Sequence, residues 1–183
     1  MKILVVVDMQ NDFIDGSLGT PEARQIVDRV AAKIAAYDQA CVFATRDTHT
    51  HDYLTSCEGR HLPVVHCVTD TPGHTLHPAI AAALDKMPFD HLIDKPTFGS
   101  MDLAQRLRPL AEDGPLEVEL VGLCTGICVL SNAILLKAAF PEAEISVDAA
   151  CCACVTPQSH DTALAAMKLC QITIENEGKE PWR

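Results

Sequence analysis

The chain opens with an unbroken apolar run, Ile3-Leu4-Val5-Val6-Val7, set between Lys2 and Asp8. That is the pattern of a strand buried on both faces, with residues 2–8 forming the element. Pro21 opens a helix whose apolar positions Ile26, Val27, Val30, Ala31 and Ile34 recur at helical spacing. Ala40-Cys41-Val42-Phe43-Ala44-Thr45 reads as a second buried strand ending at Arg46-Asp47. Further strands are predicted near His91–Ile93, Glu117–Val121, Glu144–Val147 and Gln171–Ile174, with helices over Ser100–Leu107, Gly126–Ala139 and Pro157–Leu169. Strands alternating with helices imply right-handed crossovers and an α/β fold: a doubly wound, mainly parallel sheet of about six strands flanked by helices. Between Arg46 and Phe89 the pattern lapses into His, Pro, Gly and Thr, with one short helix around Ala79–Leu84. So long an irregular stretch in a compact domain is usually functional.

Composition narrows the class. A chain of 183 residues is one domain (residues 1–175, with 176–183 as a polar tail), large enough to bury roughly 70% of its unfolded surface without disulfides. Its 9 cysteines are odd in number and follow no secreted-scaffold spacing, which predicts a reducing, cytoplasmic setting. A net charge of −11 with no Lys/Arg cluster argues against nucleic acid and anionic membranes as partners. The opening apolar run is too short for a signal peptide. The stretch from Leu120 to Leu136 is broken by Gly122, Thr125, Gly126, Ser131 and Asn132, so it reads as strand, turn and helix rather than a membrane span. A small molecule is the expected partner, and a homo-oligomer is compatible with the sequence.

Three strand ends carry chemistry. Asp8 follows the first strand, Lys95 ends Leu92-Ile93-Asp94-Lys95, and Cys128 follows Gly122-Leu123-Cys124-Thr125-Gly126-Ile127 in the first turn of the next helix. In a parallel sheet all three emerge at the carboxyl edge, where open α/β sheets bind ligands. Singly, each has an ordinary reading: a turn aspartate, a solvated lysine, a buried cysteine. Together, a carboxylate, an ammonium and a thiol are the parts of a cysteine hydrolase. A helix N-terminus favours the thiolate, so Cys128 is expected to be the most reactive of the thiols.

The irregular stretch supplies a second constellation: Asp47-Thr48-His49, Glu58-Gly59 and His66-Cys67. Asp with neutral imidazole suits Zn²⁺, Fe²⁺ or Mn²⁺. The competing reading is a His-rich loop, since the chain has 8 histidines and most must be ordinary. Cys151, Cys152 and Cys154 are expected to line the sheet edge just past a strand, and His74 and His77 to cap loops. No glycine fingerprint follows the first strand, which disfavours a dinucleotide oxidoreductase.

The set Val7-Asp8-Met9-Gln10-Asn11-Asp12-Phe13, Lys95 before Pro96-Thr97-Phe98-Gly99-Ser100, and Val121-Gly122-Leu123-Cys124-Thr125-Gly126-Ile127-Cys128-Val129 resembles the isochorismatase-like cysteine hydrolases, nicotinamidases among them. The resemblance implies a Rossmann-like sheet and an Asp8–Lys95–Cys128 triad with Cys128 as nucleophile, Asp8 as proton carrier and Lys95 holding Asp8 ionised. It implies an oxyanion hole from the N–H groups of Cys124 and Cys128, with a cis peptide between Leu123 and Cys124. It also implies a divalent ion, zinc foremost with iron or manganese as alternatives, on Asp47, His49 and His66. Glu58 matches the fourth ligand, and His51 and His61 compete for that place. Phe13 would face a substrate ring, with Leu62 and Phe98 at the other clamp positions. There the match is loose, because Leu62 stands where a tryptophan is usual. The implied activity is metal-assisted hydrolysis of a small amide, nicotinamide foremost, through a thioester on Cys128. Another small amide, or a catalytically silent binding member, is the alternative.

Overall fold

The computed structural model describes residues 1–183. Six strands form one sheet: β1 (Lys2–Val7), β2 (Val42–Asp47), β3 (Leu92–Lys95), β4 (Glu117–Leu123), β5 (Glu144–Ala153) and β6 (Thr173–Glu175). Their order is β3-β2-β1-β4-β5-β6, and every neighbouring pair is parallel. Strand order reverses between β1 and β4, which opens a crevice at their carboxyl ends. Helices α1 (Asn11–Ile14), α2 (Pro21–Ala35), α3 (Cys57–His61), α4 (Pro78–Ala83), α5 (Met101–Glu112), α6 (Leu130–Ala139) and α7 (Pro157–Leu169) cover the two faces. Successive residues of β1 feed opposite cores. Ile3, Val5 and Val7 pack with Leu103, Leu136 and Leu164, while Leu4 and Val6 pack with Ile26, Val30 and Ile80.

Local chemistry explains the elements. Thr20 accepts from Ala23 N–H, Pro21 occupies the first turn, and α2 buries Ile26, Val27, Val30 and Ile34. Each such side chain contributes about 1.5–3 kcal/mol of transfer free energy. Three segments differ from the periodicity reading. Helix α5 runs on through Pro109 to Glu112, and Asp113 N–H closes onto the Pro109 carbonyl at 3.2 Å. Strand β5 continues to Ala153, so Cys151 and Cys152 lie inside the sheet and Cys154 just beyond it. The helix expected from Gly126 is instead a π-helical turn, Thr125–Val129, followed by α6.

The long segment after β2 is held by side chains rather than by a ladder. The Gln10 amide is fully buried; its Nε2 donates to the carbonyls of Asp47 and His74, both at 2.8 Å, and its Oε1 accepts Asp47 N–H at 2.7 Å. Residues 176–183, polar as expected, are docked on the body: Trp182 Nε1 donates to the Cys152 carbonyl at 3.2 Å, and Glu180 is only 4% exposed. His77 does cap α4, accepting from Ala79 N–H. All nine cysteines are free, and no helix is long and apolar enough to cross a membrane.

Candidate active site

The carboxyl ends of β1, β3 and β4 bring Asp8, Lys95 and Cys128 together. Lys95 Nζ lies 2.6 Å from Asp8 Oδ2 and donates to Cys128 Sγ at 3.4 Å. All three side chains are buried, at 0%, 1% and 4% exposure respectively. Asp8 has φ 49, a left-handed conformation uncommon for a residue other than glycine. Its N–H bonds the Thr45 carbonyl at 3.1 Å, and its Oδ1 accepts the Thr45 hydroxyl at 2.7 Å. Oδ2 has only the lysine contact, which leaves that oxygen free to take a proton.

Gly122 lets β4 approach β1 here. It has φ +117, and a Cβ would sit 2.1 Å from the Val7 carbonyl oxygen, so no other residue fits. The next peptide, Leu123–Cys124, is cis, and Cys124 N–H has no acceptor within the chain. Asn132 of α6 ties this turn to the loop after Lys95: its Nδ2 donates to the Cys128 carbonyl at 2.8 Å, and its Oδ1 accepts Ser100 N–H at 2.9 Å. Thr45 and Asn132 are long-range partners that no local motif marks.

Charge in the group is strongly coupled. Burial pushes the Asp8 carboxyl up, Lys95 pulls it back, and Asp47 pushes it up again, with a net rise. Burial would depress Lys95, but Asp8, Cys128 and Asp47 outweigh it and keep the ammonium charged. For Cys128, burial and then Asp8 lift the thiol well above its ordinary value, and Lys95 only partly offsets them. Burial and the Asp8 charge thus oppose the favour that a helix N-terminus and Lys95 give the thiolate. Cys57 and Cys170 are exposed, whereas Cys128 is buried at the cavity wall.

Beside this group, donor atoms of Asp47, His49, Glu58 and His66 all lie within 4.8 Å of one another. His51 and His61 lie outside that group; His61 Nδ1 sits 2.8 Å from the Cys57 carbonyl oxygen. His66 Nδ1 donates to the Val64 carbonyl at 2.7 Å, which leaves the Nε2 lone pair facing the other donors. His49 Nε2 is buried and 2.9 Å from Asp47 Oδ2, yet makes no well-directed hydrogen bond. Converging lone pairs with a backbone carbonyl fixing the imidazole tautomer are the features of a cation site. Burial would raise Asp47, but the close approach of His49 and His66 and the Lys95 charge hold it well below the carboxylate range. Burial and Asp47 raise Glu58. Tyr53, missed in the sequence, packs its ring 4.6 Å from His49 and 5.0 Å from His66.

A cavity of about 770 Å³ spans both groups and is walled by Phe13, Leu62, Phe98, Ile127 and Val155. Its size is ordinary for a small-molecule site. The structure thus brings Phe13, Leu62 and Phe98 to one cavity with Cys124 and Cys128.

An α/β sheet with this strand order and a Cys–Lys–Asp group at its switch point defines a class, and sequence comparison agrees with it. The isochorismatase domain matches residues 2–177, and the chain belongs to that family. Within it the chain falls among the nicotinamidase/pyrazinamidase-like amidohydrolases. It is 31% identical over 152 residues to a nicotinamidase/pyrazinamidase of Mycobacterium tuberculosis, covering 73% of this chain and 77% of that one. A pyrazinamidase of Pyrococcus horikoshii solved in complex with zinc superposes with TM-score 0.77 at 29% identity, over 94% and 97% of the two chains. A nicotinamidase/pyrazinamidase from Bacillus subtilis gives TM-score 0.81 at 27% identity, over 96% and 99%.

Proposed function

We propose that this protein hydrolyses nicotinamide to nicotinate and ammonia as a metal-assisted cysteine amidohydrolase. The observation that carries the reading is Lys95 Nζ bridging Asp8 and Cys128 at a cavity that also holds the four-donor group. Similarity to the nicotinamidase of Mycobacterium tuberculosis supports the substrate. Another small amide is the second reading, favoured by Leu62, an aliphatic wall residue in a cavity whose aromatic side chains besides histidine are Phe13 and Phe98.

In this mechanism the neutral Cys128 thiol passes its proton to Asp8 Oδ2 as its sulfur attacks the amide carbon. Lys95, within 3.4 Å of the sulfur, stabilises the thiolate as it forms. The carbonyl oxygen gains charge and takes hydrogen bonds from the N–H groups of Cys124 and Cys128. Collapse breaks the C–N bond, Asp8 returns the proton to the leaving nitrogen, and ammonia departs from a thioester. Asp8 then takes a proton from water, whose oxygen displaces the sulfur; nicotinate leaves and Cys128 regains its proton. Asp47, His49, Glu58 and His66 would hold a divalent ion, zinc foremost with iron or manganese as alternatives, which would supply a Lewis-acidic anchor for a substrate donor atom. Phe13 and Phe98 would hold the ring.

Ammonia release from nicotinamide by the wild type, abolished in Cys128→Ala, is the expected result. Release that survives the substitution rejects the nucleophile. No release from nicotinamide beside turnover of an aliphatic amide favours the second reading, and no release from any amide favours a binding role. Stripping the metal with a chelator should raise KM for nicotinamide by about 10–100-fold. Full activity with negligible metal content would make the loop histidines structural.

A further inference from the structure

Behind the nucleophile turn lies a buried hydrogen-bonded chain that the mechanism above leaves unused. Thr125, the residue after Cys124, is fully buried and places its Oγ1 2.8 Å from His160 Nδ1 on α7. His160 Nε2 is 3.3 Å from Glu180 Oε1 in the docked segment 176–183. Glu180 also accepts Gly178 N–H at 3.2 Å and is ion-paired with Arg183, which in turn pairs with Asp161. Trp182 seals the histidine, ring edge to face at 4.9 Å.

Burial lowers the His160 pKa and favours the neutral ring. With a carboxylate at Glu180, Nε2–H then donates to it, Nδ1 carries the lone pair, and the Thr125 hydroxyl donates to Nδ1. Thr125 has 0% exposure and cannot meet substrate, which excludes it as a second nucleophile. What the chain does control is the peptide that begins the turn. A Cβ at Gly126 would sit 3.3 Å from Cys154 Sγ and 3.4 Å from the Ala163 methyl, and Gly126 N–H points to Cys154 Sγ at 3.4 Å, so the turn packs closely against α7. Cys124 and Cys128, whose N–H groups serve the oxyanion in the proposed reaction, flank this anchored peptide.

We propose that Glu180, acting through His160 and Thr125, is a positioning residue that fixes the nucleophile turn, so that turnover depends on segment 176–183 while substrate binding does not. The role in turnover rests on the amidase reading; the rigidity of the turn does not. Thr125→Val removes the hydroxyl link, Glu180→Gln replaces the charged acceptor of His160 Nε2–H with a weaker neutral one and breaks the Arg183 ion pair, and Thr125→Ser restores the hydroxyl. Arg183→Gln, at the rim, keeps the test available if either core variant fails to fold. We expect kcat for nicotinamide to fall about tenfold or more in the Val and Gln variants with KM within about twofold, and Thr125→Ser to recover most of it. Hydrogen exchange supplies a readout independent of substrate. Amides of 124–129 should exchange about tenfold faster in Thr125→Val and Glu180→Gln, while those of β2 stay at wild-type rates. Unchanged exchange at the turn, or equal acceleration everywhere, overturns the proposal. If the wild type hydrolyses no amide, the amidase reading fails and exchange alone decides the positioning role; if it turns over another amide instead, that substrate replaces nicotinamide in the kinetic test.

Discussion

The sheet carries a buried charge cluster at each end, and the two are built differently from the same residue types. At the amino end, Lys33 Nζ lies 2.7 Å from Glu119 Oε1 and 2.6 Å from Asp148 Oδ2. Glu119 Oε2 takes the Tyr37 hydroxyl and lies 3.3 Å from Lys2, while Asp148 Oδ1 accepts Ala150 N–H and Asn176 Nδ2 at 3.0 and 3.1 Å. Every carboxylate oxygen is occupied. At the carboxyl end, Lys95 likewise faces Asp8 and Asp47, but Asp8 Oδ2 has no second partner, the Asp8 backbone is left-handed, and a cavity opens beside Asp47 and Cys128. Saturated pairing makes a strut; pairing one partner short leaves a group able to accept a proton. Their pKa directions diverge accordingly. Burial would raise Glu119, but Lys33 and Tyr37 bring it below its ordinary value, whereas Asp8 ends above its own.

The largest effect that could break this contrast is in activity. Asp8→Asn should cut kcat for amide hydrolysis by roughly 10²–10⁴-fold, the range of a lost general acid–base group. The same variant should be no less stable than wild type by urea melts at neutral pH, because it removes an under-solvated carboxylate. A large stability loss would make Asp8 a strut like Glu119.

Next in size is the converse at the other end. Lys33→Met leaves two carboxylates buried without their cation. Breaking a fully buried pair costs about 3–5 kcal/mol, and partial exposure of Lys33 brings this to about 2–3 kcal/mol. Turnover per folded molecule should not move, since the cluster lies at the opposite end of the strands. A fall in kcat at equal folded fraction would show that the two ends are coupled.

Both ends were unequally legible in the sequence. Strand β1 is visible because a parallel strand buried on both faces reads as an unbroken apolar run, and β4 by Leu120-Val121 running into Gly122; the chemistry follows immediately after each. The far half of β5 is hidden because Ala149-Ala150-Cys151-Cys152-Ala153 has no branched residue; its pairing with β4 at Gly122–Cys152 and Leu123–Ala153 makes it a strand. The turn that carries Cys128 is legible from Gly122 to Gly126, whereas its burial beside Asp8 and Lys95 is a tertiary property. Glu58 is a metal-ligand candidate in the sequence only through the family resemblance, and folding brings it near His49 and His66. Lys33–Glu119–Asp148 and Thr125–His160–Glu180 have no local pattern at all, because each joins elements far apart in the chain.

The smallest effect is the sharpest test, because it turns on sign. A carboxyl whose folded pKa is lowered binds protons more tightly when unfolded, so Glu119 contributes stability above its ordinary 4.5 and loses it as pH falls through the depressed value. A carboxyl whose folded pKa is raised does the reverse. Asp8 contributes stability below its ordinary 3.8, and that contribution is lost as pH rises through the raised value. Urea unfolding of the wild type, Glu119→Gln and Asp8→Asn between about pH 3 and pH 8 separates them. The deficit of Glu119→Gln relative to wild type should grow with rising pH and level off above 4.5. Asp8→Asn should instead gain on wild type as pH rises above 3.8, because asparagine never acquires the buried charge. If both differences ran in one direction, Asp8 would be satisfied in the folded chain as Glu119 is, and its free oxygen could not be the proton acceptor of the reaction.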